Sequence, residues 1–466
     1  MTDEDEASNP YRWPQGKKLL VALGPVFTGF VGSLTISLYI ASTPGVMEDF
    51  GVDWTLAISP ISFAALGFFI GPIVGVSISE VFGRLWVYRI AIPLATAFTI
   101  VAGTAQNFRS LIIARFLASL MISPTVSIAA GVINDLWDVR SDPTGSAILA
   151  LFASMLVWST EVGPPISAAI VRTSHDWRWT FYLSTIHLGV CLPTRLMPET
   201  FGPQLSRQKH RRIHQRRPAR PTIFKILATA TGRALHMIVM EPLVRYTTMM
   251  SGLYQAVLYC IYVAFPLVFE DTYNFTIYQS GLAFLSLLVG SVLGLFVIIT
   301  LDKTKYQRPL AAAQGSGGTV PPEQRLYPAM LGSVCMPPSL FWLAWTVRPS
   351  VHWAVPLVAG LPLGMSIICV LLILPVYRND VYGAQLGASA LAADNIMRYG
   401  ASLAFPLFTR QMLEHIGFGW SCSILGFITV ALMPVPWVFH RYGSSLRAKS
   451  RYKSDIVEIG PSDILL

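Results

Sequence analysis

The stretch Arg207–Arg220, RQKHRRIHQRRPAR, divides a 466-residue chain of which 53% is hydrophobic and 13% charged. With Lys225 and Arg233 it belongs to a basic segment, residues 198–242, that interrupts an otherwise apolar sequence. Upstream, apolar stretches begin at Leu19, Thr55, Val87, Leu111, Ser146 and Trp177; downstream they begin at Leu243, Tyr278, Ala329, Trp353, Leu386 and Phe418. A helix that crosses a bilayer needs about 20 mostly apolar residues, and each of these runs meets or approaches that length. The sequence therefore predicts an all-α polytopic membrane protein of twelve transmembrane helices in two six-helix bundles. Its parts are an N-terminal tail (1–18), a first bundle (19–197), the basic linker (198–242), a second bundle (243–440) and a C-terminal tail (441–466). The sixth run is the weak one. Phe181–Cys191 is apolar, but Pro193, Thr194 and Arg195 follow at once, so either the helix is short with Arg195 reaching to the interface, or residues have been lost there.

Composition supports this class. Soluble proteins carry about 25% charged residues, and a soluble fold of this size could not cover its surface with half that supply. The mean hydropathy is +0.54. A net charge of +9 could indicate nucleic acid, but the basic residues cluster in the segments between apolar runs. They read instead as topology signals and a headgroup-facing surface. With the N-terminus inside, Arg109, Arg172, Arg178, Arg348 and Arg410 fall outside, and Arg115, Arg245 and Arg398 within spans. Every lysine and the remaining arginines fall on the side of the linker. Both termini are thus expected to be cytoplasmic. The acidic start, Met1 to Ser8, lacks the basic region of a cleaved signal peptide. Cys191, Cys260, Cys335, Cys369 and Cys422 all lie in apolar runs, and the histidines are scattered singly, so no metal site, disulfide or cofactor is expected. With no phosphate-binding loop and no cluster of catalytic side chains, neither ATP-driven transport nor an enzyme is expected.

Between the second and third runs stand Gly71-Pro72 and Ser79-Glu80-Val81-Phe82-Gly83-Arg84. A glycine flanked by an acid and an arginine suits a tight inter-helix turn whose charges can meet helix ends. Arg115-Phe116-Leu117 opens the fourth run and Asp135 closes it; Gly163-Pro164 lies in the fifth. Trp177-Arg178-Trp179 opens the sixth, and Pro198-Glu199-Thr200-Phe201 follows it. Arg325-Leu326-Tyr327-Pro328-Ala329 precedes the ninth, and Ala388-Ser389-Ala390 leads into the eleventh. In this order the motifs resemble the major facilitator superfamily, and most closely its fungal twelve-span drug:proton antiporters, over about residues 17–442. The chain departs from that pattern at Leu85-Trp86, Ser119, Ser167-Ala168 and Val263.

The resemblance implies the major facilitator fold and alternating access by rocking of the halves. It also implies that Glu80, Gly83, Arg84 and Asp135 form a cytoplasmic gating latch that holds the outward-open state, and that Arg115 takes part in proton relay. The residues themselves add candidates. Charged side chains inside a bilayer cost roughly 2.5–3.5 kcal/mol each on insertion scales, so they mark functional positions. Glu161, two residues before Gly163-Pro164, has no basic neighbour in its own run, whereas Asp394 and Arg398 are four apart on one helix face and can neutralise each other. Glu161, and secondarily Asp394, is expected to carry the exchanged proton, with Arg115 near Glu161 if the fourth and fifth helices pack as a hairpin. Gly163-Pro164-Pro165 is expected to be the sharpest kink, and Tyr259, Tyr262 and Phe265 to line the substrate cavity.

The function expected from these readings is export of small organic molecules (drugs, polyamines or secreted metabolites) in exchange for protons. The alternatives are a nutrient uptake carrier or facilitator on the same fold, and a transport-inactive membrane sensor. The partners expected are a small-molecule substrate, protons and lipid, with no nucleic acid, and the protein as a monomer. The plasma membrane is the expected address, with the vacuolar membrane as alternative. Asn274-Phe275-Thr276 is a glycosylation triplet on the expected outer face.

Overall fold

The computed structural model describes residues 10–137, 142–202, 223–314, 320–448 and 450, and among these no residue is in a strand. The arginine-rich stretch 207–220 lies outside the described residues. Before the linker run α1 (Gln15–Ser37), α2 (Trp54–Phe82), α3 (Arg84–Gly103), α4 (Phe108–Leu136), α5 (Pro143–Ser174) and α6 (Trp179–Cys191). After it run α7 (Pro242–Tyr273), α8 (Leu285–Leu301) and α9 (Tyr327–Thr346). A continuous helix, Ala354–Ile416, follows and is broken at Gly383 into α10 (Ala354–Gly383) and α11 (384–416); α12 is Phe418–Leu432.

Nine helices among the described residues are long and apolar enough to cross a membrane. Three more fall short for identifiable reasons. The α6 helix has 13 residues, α9 is diluted by prolines, serines and tryptophans, and α11 carries Asp394, Arg398, Arg410 and Glu414. With these, the tally is consistent with twelve. The short α6 is prolonged by a 3-10 turn, Leu192–Leu196, on which Arg195 is exposed.

The packing is that of a lipid-solvated protein. Leu20, Leu23, Ile113, Phe296 and Phe427 are more than half exposed on the perimeter, whereas Ser62, Ser123, Ser167 and Ser251 are fully buried between helices. Small residues let helix backbones approach closely where water supplies no hydrophobic drive. The two halves meet along two seams, α2 against the α10–α11 helix and α5 against α8 and the short helix Ile277–Ala283. Described contacts across the seams concentrate on the face opposite the linker. There the Thr55 hydroxyl and the Gln411 amide lie 3.1 Å apart, Arg410 covers the Trp54 ring at 5.3 Å, and Arg172 covers Tyr278 at 4.6 Å. At mid-depth Phe68 of α2 and Tyr399 of α11 pack with ring centroids 5.4 Å apart. On the linker face, the helix Ile223–Met240 packs on α2 and the α10–α11 helix.

Candidate transport site and charge clusters

The C-terminal end of α1 meets α5 and α4 at the centre of the first half. Ser37 donates its hydroxyl to the Ser159 carbonyl at 3.0 Å, and a side chain at Gly163 would collide with Ser37, its Cβ falling 2.6 Å from the Ser37 Cβ and 2.9 Å from its carbonyl carbon. Gly163 thus permits a close approach between α1 and α5. The α5 helix runs without a break through Pro164 and Pro165. Pro164 and Ala168 in turn touch Gly281 of the second half.

Two residues before Gly163, Glu161 is fully buried on the seam between the halves. Its Oε2 hydrogen-bonds the hydroxyl of Ser291 on α8, while its Oε1 has no hydrogen-bond partner. The Ser291 hydroxyl also lies 2.9 Å from the Leu288 carbonyl. Alongside, Tyr262 of α7 donates to the Thr160 carbonyl at 2.9 Å. Two helices of the second half therefore join α5 at consecutive residues, and a buried carboxyl stands at the joint.

Arg115 is held elsewhere. It is 3% exposed, donates from Nη2 to the carbonyls of Thr35 at 2.6 Å and Ile36 at 3.2 Å, and faces the rings of Tyr39 and Phe181. The terminal turn of α1 is short of helical donors, the Ile36 carbonyl accepting only a long bond from the Tyr39 N–H at 3.4 Å, and the guanidinium supplements them. The structure does not pair Arg115 with Glu161. The sequence reading placed them together through an α4–α5 hairpin, but α5 packs principally on α1.

In the second half Asp394 forms a 2.6 Å ion pair with Arg378 of α10, both fully or almost fully buried, and a longer 3.9 Å contact with Arg398. Arg398 donates to Gln255 of α7 at 3.1 and 3.3 Å. Arg378 corrects the sequence reading, which counted it among the arginines of the linker face. The α10 helix extends far enough beyond its apolar run to draw Arg378 into the protein. No sequence signal marked this pair, because Arg398 already offered Asp394 a cation on its own helix.

The aromatic candidates Tyr259, Tyr262 and Phe265 are all buried. Tyr262 packs on Tyr259 at 5.1 Å and on Phe284 at 5.9 Å, and Phe265 on Phe284 at 5.2 Å. Of the three, Tyr262 reaches a cavity of about 60 Å3 between the halves, also lined by Trp54, Pro164, Glu270 and Ser280.

On the linker face, Gly83 adopts φ 98°, a left-handed region that favours glycine, and breaks α2 from α3. Arg84 Nε reaches Asp135 Oδ2 at 3.3 Å, and its Nη1 donates to Ser79 at 3.0 Å. Glu199 accepts the backbone N–H groups of Arg84 at 3.0 Å and Leu85 at 3.2 Å, and Thr200 donates to Asp135 at 3.3 Å. Glu199 thereby caps α3, a role the sequence motif did not reveal. The side chain of Glu80 lies outside the described residues. All these partners belong to the first half or to the start of the linker. An equivalent cluster stands in the second half, where Arg325, just before α9, meets Asp380 near the end of α10 at 3.0 Å, and Arg447 grips Glu323 at 2.9 and 3.0 Å. Among the described residues no group of three or more His, Cys, Asp or Glu side chains is placed to hold a metal ion.

Comparison with known proteins agrees with this architecture. The family model of the Major Facilitator Superfamily matches residues 26–406. Polyamine transporter 4 of Saccharomyces cerevisiae is 32% identical, the match covering 96% of this chain and 72% of that protein. The major facilitator superfamily multidrug transporter mdrA of Aspergillus fumigatus is 30% identical, with 97% and 76% covered. Among solved structures, the xylose transporter XylE from E. coli, in a partially occluded inward open conformation, superposes with a TM-score of 0.63 at 16% identity, covering 91% of this chain and 99% of that one. The peptide transporter POT gives 0.62 at 14% identity, with 94% and 99% covered. The chain belongs to the major facilitator superfamily, and is a multi-pass membrane transporter of small molecules rather than an enzyme.

Proposed function

We propose that the protein exports small organic molecules in exchange for protons, with Glu161 as the proton-carrying group. The observation that carries this reading is the Glu161 carboxyl, buried at the joint of the two halves with one oxygen unpartnered. Burial favours the neutral form of a carboxyl over the charged one. The Ser291 hydroxyl has a single hydrogen but two neighbours that accept, the Leu288 carbonyl and Glu161. A proton on Glu161 satisfies both, since Glu161 then donates to Ser291 and Ser291 to Leu288. Separation of α5 from α8 removes Ser291 and exposes the carboxyl to water on the opposite side, so protonation and the rocking of the halves are coupled. Arg115, fixed on α1, would set the position of the α1–α5 contact rather than exchange the proton itself.

Export is supported by the names of the relatives, which include efflux pumps, a multidrug transporter and a polyamine transporter. The linker face is assigned to the cytoplasm on the distribution of lysine and arginine. With the contacts at Thr55, Trp54 and Tyr278 on the opposite face, this conformation is then closed to the outside. The Arg84–Asp135 and Arg325–Asp380 clusters would act as ties within each half that set its shape at the cytoplasmic mouth. The plasma membrane is the proposed address.

The test uses inverted membrane vesicles loaded by a pH gradient, with labelled spermidine and the dye rhodamine 6G as probes. Accumulation should collapse when the gradient is dissipated, and Glu161→Gln should abolish it while the protein still reaches the membrane. Gradient-driven accumulation that survives Glu161→Gln would exclude the role given to this residue.

A further inference from the structure

Glu270 lies on α7 two turns beyond Tyr262, about 12 Å further along the helix at 1.5 Å per residue. It shares a helix face with Val263, Pro266 and Leu267, and this face forms one wall of the cavity between the halves. The first half supplies the other wall from Thr43, Trp54, Ile58 and Pro164. Glu270 is the one charged residue among those lining the cavity. The neighbouring cations are engaged elsewhere, since Arg410 is paired with Glu414 at 2.6 Å, Arg178 with Asp49 at 2.7 Å, and Arg172 covers Tyr278. Ser280, on the short helix Ile277–Ala283 of the same half, is 1% exposed, and its hydroxyl lies beside the Glu270 carboxyl in the cavity.

A half-buried carboxylate without a cation, a hydroxyl beside it, and the rings of Trp54, Tyr262 and Phe284 in one apolar recess form a set of groups with a common complement. An ammonium group neutralises the carboxylate and donates to the hydroxyl or lies against the ring faces, while its organic body covers the apolar wall. Anions are repelled by Glu270, and neutral molecules leave it unpaired. We propose that this cavity is a subsite for the cationic head of an organic amine on the outer side of Glu161. The inference rests on the exporter reading, in which a substrate passes from mid-depth toward the face opposite the linker. In that passage the Glu270 subsite takes the cationic head as Glu161 becomes protonated, so the proton displaces the cation instead of competing with it in water.

The test is equilibrium binding to the purified full-length protein with benzyltrimethylammonium, and with benzyl alcohol as an uncharged counterpart. No proton gradient is present, so the measurement is independent of coupling. The cation should bind and the alcohol should not displace it. Glu270→Gln should weaken cation binding by about tenfold or more, the loss typical of a charge-assisted contact. Glu270→Asp should restore part of it, and Trp54→Ala should weaken it without altering the preference for charge. Should Glu270→Gln fail to fold, Trp54→Ala and Glu270→Asp still report on the site. Wild-type affinity in Glu270→Gln, or displacement of the cation by benzyl alcohol, overturns the subsite. Loss of gradient-driven export with cation selectivity intact would instead remove the exporter reading alone.

Discussion

Asp394 offers the most quantitative test of how the second half is held together. Its Oδ1 lies 2.6 Å from a guanidinium nitrogen of Arg378, whose side chain is 0% exposed, and Arg398 reaches the other oxygen at 3.9 Å. Asp394→Asn removes the charge but keeps the shape. Arg398 retains Gln255 and some water, whereas Arg378 is left as a charge that neither water nor another anion compensates. Breaking a buried pair in this way costs about 3–5 kcal/mol. Replacing both partners, as in Arg378→Met with Asp394→Leu, removes the desolvation penalty together with the attraction and should cost far less. The assay is denaturation of the detergent-solubilised protein followed by tryptophan fluorescence, run as a double-mutant cycle. A loss below about 1 kcal/mol in Asp394→Asn, or a double variant no more stable than the single, would refute the claim that Arg378 depends on this carboxylate.

Other positions give sharper local tests. Gly163→Ala places a methyl group within 2.6 Å of Ser37 Cβ and should cost about 1–3 kcal/mol by forcing α1 from α5; adding Ser37→Gly should recover part of the thermal stability. Glu199→Ala removes the acceptor of the first N–H groups of α3, and should lower stability by about 1 kcal/mol while raising hydrogen exchange at Arg84 and Leu85. Arg447→Ala leaves Glu323, 4% exposed, without its bidentate partner. The helix Val435–Ala448 should then be cut faster in limited proteolysis than in the wild-type protein.

The family and the membrane-embedded fold were legible in the sequence because they follow from length and polarity. Twelve apolar stretches about the thickness of a bilayer, set six and six around a basic linker, leave few other ways to satisfy the backbone in lipid. Gly83 was legible as a turn, since a left-handed backbone between two helices selects glycine. Glu161 stood out because a lone acid in an apolar run has no local explanation.

What the sequence did not contain is which helix each side chain faces. Spacing along one helix joined Asp394 to Arg398, but the shorter ion pair comes from Arg378, on the preceding helix and turned inward at the far end of α10. A hairpin argument moved Arg115 toward Glu161, but α1 lies between them and occupies Arg115 with its terminal carbonyls. Glu199 was visible only as part of the Pro198–Phe201 motif and Glu270 was not singled out at all, until the fold brought one to the N-terminus of α3 and the other into the cavity between the halves. Hydropathy acts on each segment separately and so is written along the chain, whereas charge pairing and cavity lining depend on how separate helices face one another, which only the tertiary packing decides.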